Sequence, residues 1–340
     1  MMISKKKIPF KIKKPLRKYL MSYLREFKMP LSYKDLTRFD NTIPLYDAKD
    51  VDTLWVTVFY PQDDMHHIYE GLKKIYAILK ANGDMSVMRH LFIDRIDLCV
   101  YGNTKPFRVR IVNKINDNFD YFYIKNADAS RIYGLELEHI LSPNKINFYV
   151  DGDTLIEEHI VGIPGDMFIK TYLHDEHLNK IRLAKEFVKF NERCFVRLLG
   201  DMHSSNFVVE ITPDFEEIHY RIRAIDFDQQ SYEGKKLVYM PQYFKQNNPI
   251  IQLGLTVLTP ESVKQYQKEE RAMIATRIKG ARYRIKELGE AVMQDEISMP
   301  DNIEQLRNEL ADHYKDKEFL SCKSMGAVVR TSLRMILKHG

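Results

Sequence analysis

Residues 199–228, LGDMHSSNFVVEITPDFEEIHYRIRAIDFD, place two carboxylates and one carboxamide at a spacing that can do chemistry. Asp201 precedes Asn206 in GDMHSSN, and Ile225-Asp226-Phe227-Asp228 closes the segment. One carboxylate can orient an attacking hydroxyl and take up its proton. A carboxamide and a second carboxylate can hold metal ions that neutralise phosphate oxygens. This is the set that phosphoryl transfer needs. An ordinary surface hairpin with Asp residues capping its turns explains any one of these positions but not their combined spacing.

The elements that must position these residues are legible as patterns. Asn206 to Ile211 is apolar and β-branched, Thr212-Pro213-Asp214 is turn chemistry, and Ile218 to Ile225 alternates and returns. The segment is therefore a hairpin that starts at Asn206 and delivers Asp226. Upstream, Tyr121 to Lys125 is an aromatic and β-branched strand ending in lysine. Strands are also expected over Ile93–Tyr101 and Phe107–Val112, joined by Gly102 to Pro106. Asp128-Ala129-Ser130 can start a helix that carries Glu136 and Glu138 and stops at Ser142-Pro143. Two more strands follow, Lys145–Val150 and Thr154–Ile160. Helical periodicity then runs over Asp175–Cys194, from Pro260 to about Leu288 with a break near Gly280, over Ile303–Tyr314 and over Cys322–Lys338.

GDMHSSN followed by AIDFD resembles the catalytic loop and metal-binding strand of the protein-kinase-like superfamily, nearest its aminoglycoside and choline kinase branch. The chain departs from that branch at Leu199, where the family often has His, and in the glycine-poor turn at Gly102. The resemblance covers about residues 91–290, with its specific motifs confined to 199–228. It implies Asp201 as catalytic base, Asn206 and Asp226 as metal ligands, and His203 as a structural loop residue. It also implies a strand lysine on the nucleotide phosphates, oriented by a helix carboxylate. Lys125 fits the lysine. Glu136 is the preferred partner, and Glu138 is the alternative. Glu158, His159 and Ile160 fall where the family's inter-lobe hinge binds adenine through backbone groups, with Gly162-Ile163-Pro164 following.

The implied fold is α+β and two-lobed. Residues 1–90 form an N-terminal α/β extension, 91–160 a small antiparallel β lobe and 161–340 a larger helical lobe, with the catalytic loop at 199–206 and the metal-binding strand at 222–228. The implied activity is ATP- and magnesium-dependent transfer of a phosphoryl group to a hydroxyl, on a small molecule rather than a protein. The acceptor is expected among Gln229 to Gln246 and the helix after Pro260. Two alternatives use the same fold: transfer of AMP, and a nucleotide-binding pseudokinase or scaffold.

In the extension, Thr53 to Phe59 looks like a strand. Met65 to Lys80 looks like an amphipathic helix whose stripe of Ile68, Leu72, Ile75 and Leu79 is core. The first residues are basic, including Lys5, Lys6, Lys7, Lys11, Lys13 and Lys14, and read as a solvated arm leading into a packing helix. The net charge of +5 over 340 residues is accounted for by that arm, so nucleic acid is not required as a partner. Three widely spaced cysteines fit a reducing compartment. Without an apolar run long enough to span a bilayer or act as a signal, the expected location is cytoplasmic. His66-His67 lack the partners of a metal site.

Overall fold

The structure is a computed structural model that describes residues 7–47, 49–101, 104–214 and 218–339. The basic residues Lys5 and Lys6 and the turn at Gly102 lie outside the described residues.

In chain order the elements are α1 (Lys14–Ser22), α2 (Tyr33–Leu36), β1 (Asn41–Tyr46), β2 (Asp52–Phe59), α3 (Gln62–Lys80), β3 (Leu91–Cys99), β4 (Phe107–Asn113) and β5 (Phe119–Asn126). Then come α4 (Ala129–Leu141), β6 (Phe148–Asp151), β7 (Thr154–Glu158), β8 (Ile163–Pro164), α5 (Gly165–Thr171) and α6 (Lys180–Arg197). The hairpin strands β9 (Phe207–Pro213) and β10 (Ile218–Ala224) lead to α7 (Asn248–Val257), α8 (Pro260–Gly280), α9 (Arg282–Met293), α10 (Pro300–Tyr314) and α11 (Met325–His339). The fold is α+β. None of the described helices is long and apolar enough to cross a membrane.

The chain divides into two compact units. The sheet unit comprises residues 17–128 and 146–159. Its seven strands run in the order β1-β2-β3-β4-β5-β7-β6, each pair antiparallel. Alternation buries Ile93, Val109, Ile111, Phe122 and Ile124 on one face. The stripe Ile68, Leu72, Ile75 and Leu79 of α3 joins that core, worth roughly 1.5–3 kcal/mol for each side chain removed from water. Residues 17–90 therefore share one core with the strands after them. They are not a separate extension, because α3 supplies the apolar layer that the sheet face needs. Strand β1 escaped the pattern reading because Pro44 interrupts it. Proline is tolerated there since β1 is the sheet edge.

The helical unit comprises residues 1–16, 129–145 and 160–340. It contains α4 to α11 and the small sheet β10-β9-β8. The sequence division gave α4 to the small lobe, and the structure gives it to the helical unit. The reason is its surface: every residue of α4 except His139 is buried, charged ones included. Buried charges need partners. Glu136 accepts from Arg284 Nε at 2.6 Å, Glu138 pairs with Arg197, and Arg131 pairs with Asp226 and Asp228. Gly134 allows the close approach this requires, since a Cβ there would lie 3.1 Å from the side chains of both Phe227 and Gln230. The break expected near Gly280 separates α8 from α9, and Thr259 caps α8 by accepting from Ser262 N at 3.2 Å.

The N-terminal residues are not a solvated arm throughout. Lys7, Ile12 and Leu16 are buried, and Lys7 Nζ donates to the Asp228 carbonyl at 2.6 Å. A run of lysines in sequence gives no sign that one of them has a carbonyl waiting for it.

Candidate functional site

In the helical unit the GDMHSSN segment begins where α6 ends. Leu198 adopts the left-handed conformation at φ 56°, and the chain then turns back. Leu199 pairs with Gln230, and Gly200 N donates to the Gln229 carbonyl at 3.1 Å. Leu199 is fully buried, so the position where the resembled family often has His is filled here by core. Asp201 has φ 61° and donates its backbone N–H to the Val238 carbonyl at 3.1 Å. Aspartate is among the few side-chain-bearing residues that tolerate this region, so its identity serves the turn as well as any chemistry.

The carboxamide locks the loop. Asn206 Nδ2 donates to the Asp201 carbonyl at 2.8 Å, a bond that uses the amide and not the carboxamide oxygen. His203 accepts from Ser205 N through Nδ1 at 3.3 Å and starts the short turn 204–206, a structural part. The hairpin β9–β10 follows with Phe207 opposite Ala224. Ile225 N then donates to the Asn206 carbonyl at 3.0 Å. Through these bonds Asp201, Asn206 and Asp226 come to one end of the hairpin.

Arg131 was not foreseen at this place. Its Nη1 lies 2.8 Å from Asp226 Oδ1 and 2.7 Å from Asp228 Oδ1, with its side chain 2% exposed against 38% for Asp226. Asp228 N also donates to Asp226 Oδ1 at 3.0 Å. A charged residue inside a helical pattern reads as surface, and no spacing signal distinguishes an arginine that turns inward. Among the described residues, no group of three His, Cys, Asp or Glu side chains comes together as a metal site. The donors present at the hairpin end are carboxylate and carboxamide oxygens, the type magnesium takes.

In the sheet unit, Lys125 stands on β5 with its neighbour β7 carrying Glu157. Lys125 Nζ and Glu157 Oε2 are 2.8 Å apart, with side chains 9% and 5% exposed. Tyr123 lies opposite Glu157 in the register, so Lys125 and Glu157 are diagonal neighbours on one face. The carboxylate beside Lys125 in its own unit is thus Glu157. Glu136 and Glu138, the carboxylates expected in that role, belong to the helical unit, where Glu136 accepts from Arg284 and Glu138 pairs with Arg197. Sequence reasoning missed Glu157 because strand register sets the diagonal and one strand's pattern does not reveal it.

Glu158 lies 3.4 Å from Lys80 Nζ and accepts from Asn147 N at 2.7 Å. His159 Nδ1 is 3.1 Å from the Tyr123 hydroxyl, and burial pushes the imidazole below its ordinary range. Ile160 is buried and begins the next stretch of the helical unit. Half of the segment expected to rim an acceptor is interior. Gln229, Gln230, Tyr232 and Tyr239 are buried, and Gln230 Nε2 donates to the Arg197 carbonyl at 2.6 Å.

Comparison with known protein families finds no match. No curated protein matches either. Among solved structures, the chain is similar to the autoinhibited serine kinase domain of the giant muscle protein titin, with 12% identity and a TM-score of 0.28, over 72% of this chain and 92% of that one. It is also similar to a structure of titin kinase and its flanking domains, with 13% identity and a TM-score of 0.28. That match covers 72% of this chain and 54% of the other.

Proposed function

We propose that this chain is a kinase-like phosphotransferase that uses ATP and magnesium and transfers to a hydroxyl of a small molecule. One observation carries the reading: the bonds from Asn206 Nδ2 to the Asp201 carbonyl and from Ile225 N to the Asn206 carbonyl, which gather Asp201, Asn206 and Asp226 at the hairpin end. Asp201 orients the acceptor hydroxyl and takes its proton. Asn206, through its carboxamide oxygen, and Asp226 hold the metal. Magnesium, when bound, neutralises phosphate oxygens. Lys125, held by Glu157, is assigned to the nucleotide phosphates. Glu158, His159 and Ile160 are assigned to adenine through their backbone.

The arginine on Asp226 favours a second reading, a nucleotide-binding or scaffolding pseudokinase. Its guanidinium already supplies the carboxylates with a positive charge. A thermal-shift titration with ATP and magnesium, run beside Asp226→Ala, separates the readings. A site saturated a hundredfold above its dissociation constant stabilises the fold by about 2.7 kcal/mol. A magnesium-dependent rise that Asp226→Ala abolishes supports the phosphotransferase, and release of ADP during turnover completes the case. Release of pyrophosphate identifies AMP transfer instead. A shift that needs no magnesium and is kept by Asp226→Ala supports the pseudokinase.

A further inference from the structure

Within the helical unit, the N-terminal residues reach the segment that carries Asp226 and Asp228. Lys7 is 8% exposed, and its Nζ donates to the Asp228 carbonyl at 2.6 Å. The ammonium also lies 5.8 Å from the centre of the Phe10 ring and 5.9 Å from that of Tyr232, within cation–π range. The Phe10 carbonyl accepts from Ala129 N at 2.8 Å, which gives the first N–H of α4 a partner. Further along, Lys13 Nζ pairs with Glu296 at 3.1 Å. Residues 7–13 form neither helix nor strand, so contacts of this kind hold them in place.

The charges at this place give the contact a function. Arg131 Nη1 lies 2.8 Å from Asp226 Oδ1 and 2.7 Å from Asp228 Oδ1. Lys7 brings a second cation to the same short segment. Two cations therefore meet two carboxylates, and a divalent ion at Asp226 adds charge where the charge is already matched. One of the cations has to give way. Arg131 is fixed, because it stands on a helix whose residues are all buried except His139. Lys7 can move, because its segment is irregular and its neighbour Ile8 is 61% exposed. No helix or strand has to come apart to release it.

We infer that residues 7–10 are a latch on the metal site: docked Lys7 competes with a divalent cation for the 226–228 segment, and Lys7 leaves as Asp226 takes metal. The inference rests on Asp226 as a metal ligand, which the experiment tests separately. The coupling is reciprocal, so the factor by which docking weakens metal binding is the factor by which metal weakens docking.

The experiment is a calorimetric magnesium titration of the full chain beside Lys7→Met, Lys7→Arg and Asp226→Ala, together with hydrogen exchange at the Ala129 amide. Lys7→Met keeps the length of the side chain without its charge and is expected to bind magnesium about tenfold more tightly. Lys7→Arg keeps the charge and is expected to bind as the wild type does. Saturating magnesium is expected to speed exchange of the Ala129 amide about tenfold in the wild type and to leave it unchanged in Asp226→Ala. Equal or weaker magnesium affinity in Lys7→Met overturns the inference, and so does Lys7→Arg tightening as much as Lys7→Met. An Ala129 amide whose exchange in the wild type ignores magnesium also overturns it, and that measurement stands even if the Lys7 variants do not fold. Binding that Asp226→Ala abolishes and Lys7→Met leaves unchanged sinks the latch alone. Magnesium bound equally by Asp226→Ala, or by none of these proteins, sinks the metal site and the latch with it.

Discussion

Arg131 Nη1 lies 2.8 Å from Asp226 Oδ1, and the arginine side chain is almost wholly removed from water. A buried guanidinium held by two carboxylates is a fixed counter-ion, and a divalent cation at Asp226 has to compete with it. Arg131→Met is therefore expected to tighten magnesium binding about tenfold, or 1.4 kcal/mol. The same change leaves Asp226 and Asp228 facing each other, so without metal it should cost on the order of 3 kcal/mol of stability. Magnesium titration and urea unfolding, with and without metal, measure both. Weaker magnesium binding in the variant would mean that Arg131 shapes the site instead of competing for it.

Lys125 and Glu157 are a buried pair on neighbouring strands. Removing one partner strands a charge, and Glu157→Leu is expected to cost about 3 kcal/mol. Removing both, in Lys125→Met/Glu157→Leu, should cost clearly less than the sum of the single changes. A double-mutant cycle by denaturant unfolding reads the coupling, and additivity would show that the pair is electrostatically idle.

Asp201 combines a left-handed backbone with its proposed role as base. Asp201→Asn should abolish turnover with little loss of stability, because asparagine tolerates positive φ. Asp201→Ala should abolish turnover and cost about 1 kcal/mol more. Equal melting of the two variants would show that the loop relaxes away from this conformation.

Burial lowers the pKa of His313 below its ordinary value, with Lys236 and Arg271 acting in the same direction. The folded state then binds this proton less readily than the unfolded chain. Stability is present above the unfolded histidine range, near pH 6.5, and is lost as pH falls below it towards the folded pKa. His313→Phe keeps the ring packing against Phe195 and Tyr314. It should flatten the unfolding free energy over that window. A wild-type slope retained in the variant would assign the pH dependence to other groups.

The local pieces of this protein are written in its sequence. The hairpin that joins Asn206 to Asp226, the apolar stripe of α3, the capped start of α8 and its break before α9 follow from side-chain period, turn chemistry and capping, all of which act within a few residues. That Asn206 and Asp226 come near one another follows too, because a hairpin brings its ends together. Tertiary structure decided the pairing of charges. That Lys125 meets Glu157 depends on strand register, and that Glu136 and Glu138 meet Arg284 and Arg197 depends on how α4 packs within its own unit. That helix went with the helical unit because its three charged residues, Arg131, Glu136 and Glu138, find their counter-ions there. Desolvating a charge without a partner costs more than local propensity can offset, so the partners settle where such a helix lies. Those partners are up to 148 residues away along the chain, beyond the reach of any pattern within one segment.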